Sequence, residues 1–200
     1  MAHDGVEYAE YSALVRYLDV ATARGDLPPL RAALLAPLDR NETYSASARY
    51  ASAFARDLEP ALRERVPTTR FVGLGASLGA LALLHVHRAR PETFSGLFLQ
   101  SGSFFQRRLD RAERGFQRFE RIARFVRHVQ ACDGWDHTIP VTITCGTGEE
   151  NLDNHRALAA ALERQGYPVE VVEHPDAHNW VAWRDVFSPH LARLVARAVS

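Results

Sequence analysis

The chain has 200 residues, 46% of them hydrophobic, enough for one domain with a sizeable core. Its 24 basic residues are all arginine and balance 24 acidic ones, so a formal net charge of zero argues against nucleic-acid and membrane partners. Cys132 and Cys145 are too few for a disulfide framework, and with no signal peptide or transmembrane run visible the expected compartment is the cytoplasm.

In chain order the pattern alternates helix and strand. Residues 8–23 read as a helix, and residues 30–38, after Pro28-Pro29, as a short, Ala-rich buried strand. Residues 45–65 predict a helix that Pro60 bends or breaks. A strand over 70–74 runs into Gly75-Ala76-Ser77-Leu78-Gly79, and a helix over 78–89 leaves it. A strand over 96–100 follows, then a charged helix or pair of helices over 109–130. The β-branched run 141–145 is a strand, 154–165 a helix closed by Gly166, and 169–173 a strand. A last helix over 180–198 is interrupted near Pro189. This alternation predicts an α/β fold, a mostly parallel sheet with helices on both faces, as one domain over residues 1–200.

In such sheets, sites gather beyond the carboxyl ends of the strands, and three candidates fall there: Ser77, Glu149 and His178. Gly75-Ala76-Ser77-Leu78-Gly79 is a G-x-S-x-G nucleophile elbow between a strand and a helix. The turn is too tight for bulk beside the serine, so its hydroxyl stands exposed at the apex. The Leu78 amide, at the helix start, faces the place of a developing oxyanion. An elbow serine needs a base from a loop after the last strand. Of nine histidines, His178 in Pro175-Asp176-Ala177-His178-Asn179-Trp180 is loop-borne at that end. His174, at the strand end, is a rival. His85 and His87 are two apart on the elbow helix, face different sides and make a poor metal pair. The acid belongs after the penultimate strand, where the Gly146 and Gly148 turn lifts Glu149 toward the imidazole; Glu150, then Asp153, are the alternatives. The order Ser, Glu, His is that of the α/β-hydrolases.

The chain resembles the esterases of the α/β-hydrolase superfamily that include enterochelin esterase, esterase D and feruloyl esterases. The stretches that carry the likeness are His3-Asp4-Gly5-Val6-Glu7-Tyr8, Asp39-Arg40-Asn41-Glu42-Thr43-Tyr44-Ser45, the elbow and Gln100-Ser101-Gly102-Ser103-Phe104. Cys145-Gly146-Thr147-Gly148-Glu149-Glu150-Asn151 and His178-Asn179-Trp180-Val181-Ala182-Trp183-Arg184 complete them. The resemblance implies Ser77 as nucleophile, Glu149 as acid and His178 as base. It also implies an oxyanion hole in which an amide of Gly5 or Val6 joins that of Leu78. Arg40, Tyr44 and Trp180 are the expected substrate-binding residues, with bracing or packing as their alternatives. In the family, His-Asp-Gly ends a central strand, here placed between the 30–38 strand and the elbow strand. Only Met1-Ala2 precedes it, so the sheet is expected to lack its N-terminal strands, an interior member included, and the chain alone to be unstable or inactive.

Between Arg107 and His128 lie eight arginines and three acids, with Phe116, Phe119, Ile122 and Val126 as an apolar stripe at helical spacing. The segment 107–128 follows a sheet strand at a place where the superfamily inserts lids, and an arginine-rich lid would favour anionic substrates. The expected function is that of a serine carboxylic-ester hydrolase working through an acyl-enzyme on a small-molecule ester, siderophore-type or otherwise anionic. It requires no metal or organic cofactor and no nucleic-acid or membrane partner. The alternatives are a non-catalytic α/β-hydrolase-like interaction protein, an inactive truncated product and an acyltransferase.

Overall fold

The computed structural model describes residues 1–200 apart from Pro67 and Thr69. Six strands form one sheet in the order β2-β1-β3-β4-β5-β6, and all of their pairings are parallel. They are β1 (Ala2–His3), β2 (Leu34–Leu35), β3 (Val72–Ala76), β4 (Gly96–Gln100), β5 (Val141–Gly146) and β6 (Val169–His174). Side chains alternate across the pleat: Leu97 and Leu99 of β4 face one core, and Phe98 faces the other. The first core packs the sheet against α6 (Leu78–Ala89), α7 (Phe119–Ala131) and α8 (Leu152–Arg164), with Ala51 and Phe54 alongside. The second packs it against α1 (Gly5–Tyr11), α2 (Leu14–Ala23), α9 (Trp180–Asp185) and α10 (His190–Val199). The completing short helices are α3 (Arg40–Tyr44), α4 (Ala48–Ala53) and α5 (Glu59–Arg65).

The expected interior gap in the sheet is not there. Ala2 and His3 pair with Leu34 and Leu35 of β2, and Ala2 also pairs with Leu74 of β3. The Leu74 amide donates to the Met1 carbonyl at 2.8 Å and the Ala2 amide to that of Ala33 at 2.8 Å. Two residues therefore hold the interior place between β2 and β3, and they deliver His3-Asp4-Gly5 to the carboxyl end of the sheet.

Other differences are local. The helix expected over 8–23 is two, α1 and α2, because Ala13 adopts a left-handed backbone (φ 51°) and the Ser12 hydroxyl takes the Tyr8 carbonyl at 2.7 Å. The strand expected over 30–38 shrinks to Leu34–Leu35, since the rest lies largely at the surface. Pro60 does not break its helix. The helix runs on from α4 through a π-turn over Phe54–Leu58, just before Pro60, and α5 continues from there, so Pro60 coincides with a distortion of the helix rather than its end.

Candidate active site

β3 feeds Ser77 and α6 leaves it. Ser77 has φ 55° and ψ −124°, a conformation that a serine holds only when its surroundings impose it. They do. The Ser77 amide donates to the Gln100 carbonyl at 2.9 Å, and the Ser77 carbonyl accepts from the Ser103 amide at 3.1 Å. A Cβ on Gly75 would lie 2.8 Å from the Gly79 carbonyl carbon, so the strand–helix turn closes only over glycine. Leu78 is the first residue of α6, so its amide has no acceptor within the helix. The Ser77 hydroxyl lies 3.2 Å from that of Ser103, and no hydrogen bond joins Ser77 to His178.

Glu149 and His178 come together from two loops. His178 Nδ1 is 2.8 Å from Glu149 Oε2, with the carboxylate 2% exposed and the imidazole 44%. Glu149 Oε1 accepts from the Ser101 hydroxyl at 2.6 Å and from the Gly146 amide at 2.8 Å. Burial pushes the Glu149 carboxyl up, but the donors His178, Ser101 and Gly146 together outweigh it and hold the group below the ordinary glutamate value. As a carboxylate, Glu149 can only accept, so His178 carries its proton on Nδ1 and turns Nε2, unpartnered among the described residues, outward. The two loops clasp closely: a Cβ on Gly146 would lie 2.2 Å from the Asp176 carbonyl oxygen, and the Gly148 amide donates to that oxygen at 3.1 Å. Glu150 is exposed and makes no hydrogen bond through its side chain, and Asp153 pairs with Arg156 at 3.5 Å. His174 ends β6 without meeting either group.

No protein-family model matches the chain, and no curated protein matches it. Among solved structures it is similar to an enterobactin esterase of Shigella flexneri in the presence of 2,3-dihydroxy-N-benzoyl-serine. The TM-score is 0.83 at 22% identity, covering 100% of this chain and 52% of that one. It is similar to a ferulic acid esterase, with TM-score 0.74, 15% identity and coverage of 98% and 82%. Fluorophosphonate-binding serine hydrolase F of Staphylococcus aureus gives 0.63 at 14% identity, with coverage of 100% and 82%. The chain has the α/β-hydrolase fold. It spans about half the length of the enterobactin esterases it matches.

In this α/β-hydrolase fold the His3-Asp4-Gly5 turn lies beside the elbow. His3 Nδ1 donates to the Gly79 carbonyl at 3.0 Å, and the Tyr50 hydroxyl is 2.7 Å from Nε2. Gly5 and Val6 begin α1, so their amides, like that of Leu78, lack helical acceptors. The turn is held hard. Arg40 grips the Asp4 carboxylate through two nitrogens, Nε to Oδ1 at 2.9 Å and Nη2 to Oδ2 at 2.8 Å. Tyr44 is 1% exposed, stacks on His3 at 4.5 Å and takes the Asp4 amide on its hydroxyl at 3.3 Å. Trp180 is half-buried against Tyr8 (5.0 Å) and Trp183 (4.7 Å).

The arginine segment is divided. Ile122 and Val126 of α7 are buried in the core beneath the sheet, and Phe119, also buried, stacks on Phe105 at 5.7 Å. Arg118 and Arg121 pair with Glu42 at 2.7 and 2.8 Å, and Arg107 pairs with Glu120. Residues 107–118 form a loop with one 3-10 turn, Ala112–Gly115, anchored where Asp110 accepts from Asn154 of α8 at 2.7 Å. Among the described residues Arg108 and Arg111 of this loop make no side-chain hydrogen bond or ion pair. No three His, Cys, Asp or Glu side chains among the described residues group as a metal site needs.

Sequence reasoning missed Ser101, Ser103 and the indole of Trp183 as members of the polar cluster. The signal was available: Gln100-Ser101-Gly102-Ser103 sets small polar residues at the carboxyl end of β4, beside the elbow strand.

Proposed function

We propose that the chain is a serine carboxylic-ester hydrolase that works through an acyl-enzyme. The observation that carries this reading is the strained, apical Ser77 sharing one end of the sheet with a buried Glu149 that fixes the Nδ1–H tautomer of His178. In the reaction the Ser77 hydroxyl leaves Ser103 for His178 Nε2 and attacks the ester carbonyl as His178 takes its proton. Amides of Leu78 and of Gly5 or Val6 receive the oxyanion, and His178 then protonates the departing alcohol. Water, activated by His178, releases the acid and restores Ser77. Glu149 stabilises the imidazolium in both halves.

The substrate we propose is an anionic ester, of the siderophore type. Arg108 and Arg111 stand unpaired on the loop beyond β4 and raise the local concentration of anions. One matched esterase was crystallised in the presence of 2,3-dihydroxy-N-benzoyl-serine, whose carboxylate agrees in charge. The test is hydrolysis of an activated ester by the wild type and by Ser77→Ala and His178→Ala. Each substitution should cost several powers of ten in kcat. Turnover by folded Ser77→Ala at near the wild-type rate would end the proposal.

A further inference from the structure

Two buried residues reach the acid from behind. Ser101 follows β4 in a left-handed backbone (φ 44°), with its amide on the Thr144 carbonyl at 2.8 Å and its side chain fully buried. Trp183 of α9 is 5% exposed, and its Nε1 lies 2.8 Å from the Ser101 oxygen. We propose that Ser101 and Trp183 are positioning residues that hold the Glu149 carboxylate in the plane and direction His178 requires. The inference rests on the esterase reading and deepens it.

The direction of the chain follows from donor chemistry alone. An indole N–H can only donate, so Ser101 must accept from Trp183. Its one hydroxyl proton is then free to point to Glu149 Oε1, 2.6 Å away. Oε1 also takes the Gly146 amide, which leaves Oε2 as the atom facing His178. Rotation of the carboxylate would break two donors at once. The same tryptophan touches the base: its ring meets that of His178 edge to face at 5.0 Å. It is itself anchored, because its carbonyl accepts from Gln100 Nε2 at 2.8 Å while Gln100 Oε1 accepts from the Tyr8 hydroxyl at 2.9 Å. Asn179 caps α9 by accepting from the Val181 and Ala182 amides, so one short helix sets both Trp183 and the adjoining His178. Hydrogen-bond chains in a dry site polarise in one direction, and this one ends on the group that must stay charged.

The experiment measures kcat, KM and the pH profile of kcat/KM for Ser101→Ala and Trp183→Phe with an activated ester. Ser101→Ala should lower kcat by about tenfold to a hundredfold, the worth of one hydrogen bond to a charged group, with KM unchanged. It should also move the acid limb of the profile upward, since a carboxylate with one donor fewer holds the imidazolium more tightly. Trp183→Phe keeps a packed ring and should shift both in the same direction by less; it carries the test if Ser101→Ala fails to fold. In a Glu149→Gln background Ser101→Ala should add less than about a twofold loss, because its effect runs through the carboxylate. Full additivity in that background, or a wild-type pH profile in both single variants, overturns the inference. Failure of Ser77→Ala to abolish turnover would instead remove the esterase reading beneath it.

Discussion

Acidification should begin to destabilise this chain above the range in which carboxylates titrate. His3, His87 and His155 are 0%, 0% and 1% exposed. His3 donates to the Gly79 carbonyl and His155 Nδ1 to that of Asn151 at 2.8 Å, while His87 Nε2 is 3.0 Å from the Tyr167 hydroxyl. Burial lowers each imidazole to about 4. The unfolded chain binds these protons near pH 6.5, so between about 6.5 and 4 it holds more protons than the folded one, and stability falls as the pH falls. A shift of about 2.5 pH units is worth about 3 kcal/mol per histidine. By pH 4 the three together amount to several kcal/mol, a large share of the roughly 5–15 kcal/mol that holds a domain together. Acids held low by their partners, such as Glu42 between Arg121 and Arg118, lose their contribution only below about pH 5. The window from 6.5 to 5 therefore lies above the carboxylates. Urea unfolding followed by circular dichroism at half-unit pH steps is the assay. The midpoint should fall progressively below pH 6.5. A midpoint unchanged from pH 6.5 to 5 would refute the reasoning.

Three further outcomes follow from the site. Glu149→Gln should cut kcat by a hundredfold or more, in the range of order for a misdirected tautomer, while Glu150→Gln, on an exposed side chain, leaves it unchanged; steady-state kinetics of the two variants decides. Gly146→Ala puts a Cβ 2.2 Å from the Asp176 carbonyl oxygen, so it should displace the His178 loop and lower both Tm and kcat, the Tm loss reflecting about 1–3 kcal/mol. A wild-type Tm and rate there would contradict the clasp. The ratio of kcat/KM for anionic over neutral esters should fall as salt rises, because exposed charges are screened over about 8 Å at physiological ionic strength. Replacing Arg108 and Arg111 by Gln should abolish that salt dependence.

The order of elements from residue 70 onward was legible because most are apolar or amphipathic runs closed by Gly or Pro: Leu78–Ala89 and Gly96–Gln100 have the limits read from the sequence. The N-terminal third was harder. β1 has two residues, and β2 two, so neither carries a period, and pairing to β3 alone defines them. The break at Ala13 comes from a left-handed alanine, which no residue preference announces. At the site, the placement of Ser77, Glu149 and His178 beyond the carboxyl ends of β3, β5 and β6 was readable from topology. The choice between Glu149 and Glu150 was not, because it depends on which of two adjacent side chains turns inward to meet Ser101 and Gly146. The apolar stripe of this segment was less decisive: helical spacing of Ile122 and Val126 describes a buried face without saying what lies beneath it.

The most direct test of the account is covalent labelling with a fluorophosphonate, read by intact and peptide mass spectrometry. The account predicts one adduct per chain, on Ser77, formed by the wild type and absent from both Ser77→Ala and His178→Ala. A folded wild-type chain that takes up no label, or takes it on a residue other than Ser77, would contradict it.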